Sequence, residues 1–171
     1  MRQLVSTQNK QQRALWLEGR LTEHFTWREM TWSPKCEQRG IDNRPGEDAK
    51  QRLQRLCRDY LEPLRAARGR AVIVNSAYRT PQLNAAVEGS RHSWHLLGCA
   101  VDISCATMGE AVNTLTFFRK HYVLTGRGYD ECYAKKGRQA WYVHLAVDLV
   151  DGSNRLRDNV DAIRDFGKLG N

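Results

Sequence analysis

An α+β fold is what this sequence predicts: a single compact domain with a small antiparallel sheet and flanking helices. Three observations predict it. Leu53, Leu56, Cys57, Tyr60, Leu61 and Leu64 recur at helical spacing, so they form one apolar stripe with the neighbouring arginines on the other side. The segments "GYDECYA" and "AWYVHLAVD" are strand-like and are joined by "KKGRQ", a basic turn with a glycine, which predicts an antiparallel hairpin. Two short apolar runs, "AVIVNS" and "CAVDIS", predict buried strands. At 171 residues the chain has about the length of one domain and can bury a core without staples.

Taken in order, residues 1–20 read as an N-terminal extension, with a short helix closing over Leu15 to Gly19, and residues 21–171 read as the domain. "LTEHFTWREMTWSP" alternates aromatic and polar residues up to a proline, which predicts an irregular arm, and "GIDNRPGED" is turn chemistry. The amphipathic helix that follows should kink or restart at Pro63 and end at Gly69. Thr80 and Pro81 have the form of an N-cap followed by a first-turn proline, so "PQLNAAV" predicts a short helix. Thr107 and Glu110 form a capping box, and Met108, Ala111, Val112, Leu115 and Phe118 give its helix an apolar face as far as about His121. The tail "RLRDNVDAIRDFGKLGN" predicts a last short helix with Val160, Ile163 and Phe166 inward.

Apolar residues at 41% and charged residues at 27% suit an ordinary folded surface and exclude a disordered chain. No apolar run is long enough to span a bilayer, and the first residues lack the apolar core of a secretory signal, so synthesis in a cytoplasm without membrane insertion is expected. Five cysteines, an odd number with no CxxC pair and largely in apolar contexts, read as buried reduced thiols. The net charge of +8 suits nucleic acid, an anionic membrane surface or an acidic polymer such as a cell wall. Between Lys50 and Arg70 seven basic residues face two acidic ones, and a solvated helix face is the plainer account of them. No aromatic-basic motif supports a nucleic-acid partner.

The chemistry concentrates in "SRHSWHLLGCAVDIS". His95 lies in a glycine-bearing loop and Asp102 on the strand that follows, so a turn at Gly98 can bring both onto one cation. His144 sits mid-strand among apolar neighbours. Two histidines and one aspartate form a normal three-ligand set for zinc with a fourth position left for water. Singly, each has a plainer reading: a satisfied core histidine for His144, a turn or cap residue for Asp102 and a loop residue for His95. His92 lacks the offset to Asp102 and reads as a loop residue.

The residues "SAYRTPQLNAAVEGSRHSWHLLGCAVDIS" and the later "WYVHLAV" resemble peptidase family M15, the zinc D-alanyl-D-alanine carboxypeptidases and endolysins. Ser93, His95, Gly98, Ala100 and Asp102 match its S-x-H-x-x-G-x-A-x-D motif, and Trp141 and His144 approximate its later W-x-H. The arm "LTEHFTWREMTWS" also matches, so the likeness runs from about Leu21 to Val147. It implies a hedgehog/DD-peptidase-like fold, and zinc held by His95, Asp102 and His144. It further implies Arg79 as the arginine that meets a substrate carboxylate or carbonyl, and Ser93 near the substrate or orienting the loop.

The implied reaction is metal-assisted amide hydrolysis, in which a carboxylate takes the proton of water and passes it to the leaving amine. Here the chain departs from the pattern. Family members place a Glu or Asp three to about six residues before the last histidine, but Arg138, Gln139, Ala140 and Trp141 occupy those places. The nearest acids are Asp130 and Glu131 in the first strand of the hairpin. A register pairing Glu131 with His144 aims that glutamate at the metal, and a register one residue different offers Asp130. Glu131 is the choice for its longer reach; Asp148 and Asp151 lie too far past the ligand strand. The resemblance thus implies a peptidase of cell-wall stem peptides, monomeric unless part of a virion and acting at the wall or carried in a phage particle. The missing near-ligand acid leaves open a catalytically silent zinc domain that binds wall peptide or serves a structural role.

Overall fold

The computed structural model describes residues 18–137 and 140–150. The expected helices over Leu15 to Gly19 and in the tail therefore lie wholly or largely outside the described residues, as do Arg138 and Gln139 of the hairpin turn. Within them the chain is one small domain in which helices pack against a four-stranded antiparallel sheet.

The arm is more regular than its composition suggests. It holds a short helix, α1 (Trp27–Thr31), and its last residue opens a second, α2 (Pro34–Arg39). The expectation of an irregular arm is corrected by two capping signals. Thr26 and Glu29 form a reciprocal capping box, with the Glu29 carboxylate accepting from the Thr26 N–H at 2.8 Å. Ser33 caps α2 with Pro34 in its first turn.

The long helix runs as α3 (Glu47–Leu56), a π turn (Cys57–Leu61) and α4 (Glu62–Arg68). Its predicted stripe is buried, with Leu53, Leu56, Cys57, Tyr60, Leu61 and Leu64 each 2% exposed or less. The restart expected at Pro63 takes a specific form. The Glu62 N–H bonds the Cys57 carbonyl five residues back, and Pro63 has no N–H to offer Asp59. The Asp59 carbonyl instead accepts from His121 Nε2–H at 2.9 Å, which ties this helix to the next. Most of the basic residues here lie on the solvent side as expected, but Arg68 is 11% exposed and pairs with Glu110.

Strand β1 (Val74–Ser76) is shorter and less buried than "AVIVNS" predicts, since Ile73 is 58% exposed. It is an edge strand, so only one of its flanks is paired. Helix α5 (Pro81–Ala86) is capped by Thr80 as expected. Strand β2 (Ala100–Cys105) leads to helix α6 (Met108–Thr125), which the Thr107 cap starts and Gly126 ends four residues beyond the expected stop. Its inward face is Ala111, Thr114, Leu115, Phe118 and His121, whereas Met108 and Val112 are exposed.

The hairpin is β3 (Glu131–Lys136) and β4 (Trp141–Ala146), and the sheet order is β1-β2-β4-β3. Val101, Ile103, Val143, Leu145, Cys132 and Ala134 alternate inward on these strands and join the helices in one core. All five cysteines are buried thiols, none in a disulfide.

Candidate metal centre

The register of the sheet sets Ser76, Asp102, His144 and Tyr133 in one row across all four strands. Residues directly opposite in antiparallel strands share a face, so Asp102 and His144 stand side by side. The loop between α5 and β2 supplies the third member. Ser93 caps a 3₁₀ turn (Trp94–Leu97) by accepting from the His95 N–H at 3.4 Å, and Gly98 reverses the chain at φ 72°. A Cβ at Gly98 would lie 2.8 Å from the Ala49 carbonyl, so the turn presses against α3 where only glycine fits. The Arg79 N–H donates to the His95 carbonyl at 3.0 Å and fixes the turn from the other side.

The side chains then converge. His95 is 3% exposed, and its Nδ1–H donates to the Ala77 carbonyl, which leaves Nε2 directed at Asp102 Oδ2, 3.4 Å away. His144 Nδ1 lies 2.7 Å from Asp102 Oδ1. One ligand atom from each of His95, Asp102 and His144 lies within 4.8 Å of the other two, and all three residues are buried. Tyr133 stacks on the His144 ring with centroids 4.9 Å apart. Burial opposes the charge on Asp102, but hydrogen bonds from His144 and His95 and their charges outweigh it and hold the carboxyl well below the usual carboxylate range. Burial lowers Arg79, with the charge of Asp102 acting against it. Burial, helped by the charge of Glu131, pushes the Tyr133 hydroxyl up to about 12.

The donor set fits a divalent metal ion. His95 has one nitrogen tied to backbone and the other presented, the arrangement in which a protein fixes the tautomer of a ligand. Asp102 is ionised and needs cationic company in its buried position.

The cluster opens on a cavity of about 410 Å³ lined by Arg79, Ser93, Glu131, Tyr133, Lys135 and Tyr142 besides the three ligand candidates. Arg79 is 16% exposed; its Nη2 donates to Asp102 Oδ2 at 3.2 Å and its Nε to Ser76 Oγ at 3.0 Å. His92 is exposed at the rim of the cavity.

The register differs from the one that pairs Glu131 with His144. Tyr133 is opposite His144, and Glu131 is opposite Ala146. The shift is two residues, not one, because the Gly137 N–H to Ala140 carbonyl bond closes the turn with Lys136 opposite Trp141. A shift of two preserves the face, so Glu131 still points to the site, with Oε2 3.5 Å from His144 Nε2. Asp130 takes the other side. Its carboxylate accepts from the Asp148 N–H at 2.5 Å, and it does not line the cavity.

Four residues escaped the sequence reading. Tyr133 and Lys135 follow from Glu131 by strand alternation, and Tyr142 from His144 by the same rule. Asn43 gave no such signal. It is 5% exposed, donates to the carbonyls of Thr31 and Tyr78 and accepts from the Thr80 N–H, so it ties the arm to the segment that carries Arg79.

A protein-family model described as Peptidase M15 matches residues 23–145. The chain belongs to peptidase family M15. Membership implies a metallopeptidase, and the matched span contains every residue of the cluster, from Arg79 to His144. No curated protein matches the chain. Among the described residues, no helix is long and apolar enough to cross a membrane.

Proposed function

We propose that the chain is a zinc peptidase that hydrolyses amide bonds of cell-wall stem peptides, at bonds involving D-alanine, as a carboxypeptidase or endopeptidase. The observation that carries this reading is the convergence of His95 Nε2, the Asp102 carboxylate and a ring nitrogen of His144 at a cavity, in a chain of family M15. Zinc held by these three would polarise the scissile carbonyl and acidify water.

The remaining roles fall to the chain's own side chains. Arg79 has two of its nitrogens held by Asp102 and Ser76, so its fork is oriented before a substrate arrives, and it meets the peptide carbonyl or carboxylate. Ser93 holds the turn that presents His95. Glu131, 40% exposed and beside the His144 ring, takes the proton of the attacking water on a carboxylate oxygen and returns it to the leaving nitrogen. The site works at the wall, reached from a phage particle or at lysis, and the net charge of +8 favours dwelling on anionic wall polymers.

A second reading rests on the same 3.5 Å approach of Glu131 to His144 Nε2. If that carboxylate only orients the ring, the domain holds zinc and binds wall peptide without cleaving it. Zinc-loaded protein incubated with purified peptidoglycan, with products followed by mass spectrometry, separates the two. Cleavage by the wild type that falls about 10²- to 10⁴-fold in Glu131→Gln, at unchanged zinc content, supports the proton role. Equal cleavage by both overturns the assignment of Glu131, and no cleavage by stoichiometrically zinc-loaded wild type favours the silent domain.

A further inference from the structure

On the same face, the rows two residues to either side of His144 and Tyr133 end, on β3, at Glu131 and at Lys135. Alternate residues of a strand share a face and stand about 6–7 Å apart, so these two flank the metal cluster along one strand. Both line the cavity, whose wall carries Glu88 and Arg79 as well, so along β3 itself an acid stands on one side of the cluster and a cation on the other.

The cations Arg79 and Lys135 differ in what already holds them. Arg79 is buried against Asp102 and Ser76. Lys135 is exposed, its ammonium lies 5.1 Å from the centroid of the Tyr133 ring, and among the described residues no carboxylate pairs with it. The ring that carries this ammonium is itself stacked on His144 at 4.9 Å. Lys135 Nζ and the His144 ring are therefore no more than about 10 Å apart, the span of about three extended residues. A cation held over an aromatic face at a peptide-sized cavity, with no carboxylate paired to it among the described residues, is suited to receive an anion.

We propose that Lys135 determines specificity by taking a carboxylate of the bound peptide, within about three residues of the bond held at the cluster. The scissile bond is defined by the peptidase reading above, but the recognition itself is a matter of binding and stands apart from cleavage. A free C-terminus and an acidic side chain supply the same chemistry.

The test uses zinc-loaded wild type, Lys135→Met and Lys135→Arg with three synthetic peptides ending in D-Ala-D-Ala. One has a free C-terminus and one acidic side chain, one is its C-terminal amide, and one is the amide with the side chain neutralised to Gln. Dissociation constants by calorimetry and KM by product release are both read. Lys135→Met raises Kd about five- to tenfold for the peptides that carry the contacted carboxylate, leaves the neutral peptide unchanged, and Lys135→Arg restores the difference. The discrimination narrows as salt is raised. Whether the effect is lost at the first or the second neutralisation tells the C-terminus from the side chain. The proposal is overturned if Lys135→Met alters all three peptides equally or none, or if the wild type binds none of them. Discrimination by Lys135 without any cleavage sinks the peptidase reading and leaves this one standing.

Discussion

Asp102 and Glu62 each meet a histidine ring nitrogen at 2.7 Å, yet the two clusters are built to different ends. Glu62 begins α4 and ties the arm to it. Its Oε1 accepts from the Thr22 hydroxyl at 2.6 Å and the His24 N–H at 2.8 Å, and its Oε2 meets His24 Nδ1. A hydroxyl and a backbone N–H complete its needs, and the assembly is a latch. Asp102 is met by ring nitrogens of His144 and His95 and by the Arg79 guanidinium. Each of these comes from a different part of the chain, and His95 has its second nitrogen already tied to the Ala77 carbonyl. The difference teaches that a carboxylate–histidine contact says little by itself. What marks a metal centre is several ligand atoms aimed at one point, with the far side of a ring fixed by the protein.

The largest effect expected from breaking this contrast is on metal affinity. His144→Ala should weaken zinc binding by more than about 100-fold, since loss of a group merely behind a ligand costs about 10- to 100-fold. Competition with a chromophoric chelator reads it, and Glu62→Gln in the same assay should stay within about twofold of wild type. Comparable losses in the two variants would erase the distinction. Chelation should also lower the melting temperature of the wild type and leave His144→Ala almost unmoved, because only a bound metal stabilises by mass action.

A smaller effect is expected at Gly98, which aims His95 at Asp102. An added Cβ would combine a positive φ of 72° with a 2.8 Å approach to the Ala49 carbonyl. Gly98→Ala should cost about 2–3 kcal/mol in urea unfolding and reduce zinc affinity as the turn shifts. Unchanged stability would mean that the turn does not depend on its contact with α3.

The metal centre was legible because its spacing is local in one half and patterned in the other. His95, Gly98 and Asp102 fall within eight residues, and His144 follows in a strand whose alternation is clear. The register of the hairpin was not legible. It depends on how the turn closes between Lys136 and Trp141, and alternation constrains only the face, which is why Glu131 kept its side and lost its expected partner. The arm was misread because aromatic alternation was weighed above the Thr26–Glu29 and Ser33–Pro34 caps, the very signals that located α5 and α6. The exposure of Ile73 followed from β1 lying at an edge, a property of the assembled sheet that the run "AVIVNS" cannot reveal.

The smallest effect sharpens the contrast from the side of the latch. Burial alone would raise the Glu62 pKa, but hydrogen bonds from Thr22 and from the backbone and ring of His24 lower it below its ordinary 4.5. A carboxyl depressed in the folded state contributes stability that is fully present above the unfolded pKa and is lost as pH falls through the folded one. Glu62 is 20% exposed, so solvent weakens its bonds, and Glu62→Gln should cost about 1 kcal/mol at pH 7. The gap between wild type and variant, from urea unfolding at pH 7 and in acid, should narrow as pH falls below 4.5 and through the depressed folded pKa, where the wild-type side chain approaches the neutral form that glutamine imitates. Asp102 also titrates in acid, but it is present in both proteins and cancels in the difference. A gap that does not narrow at all as the pH is lowered would mean that Glu62 contributes through packing against the arm and not through its charge.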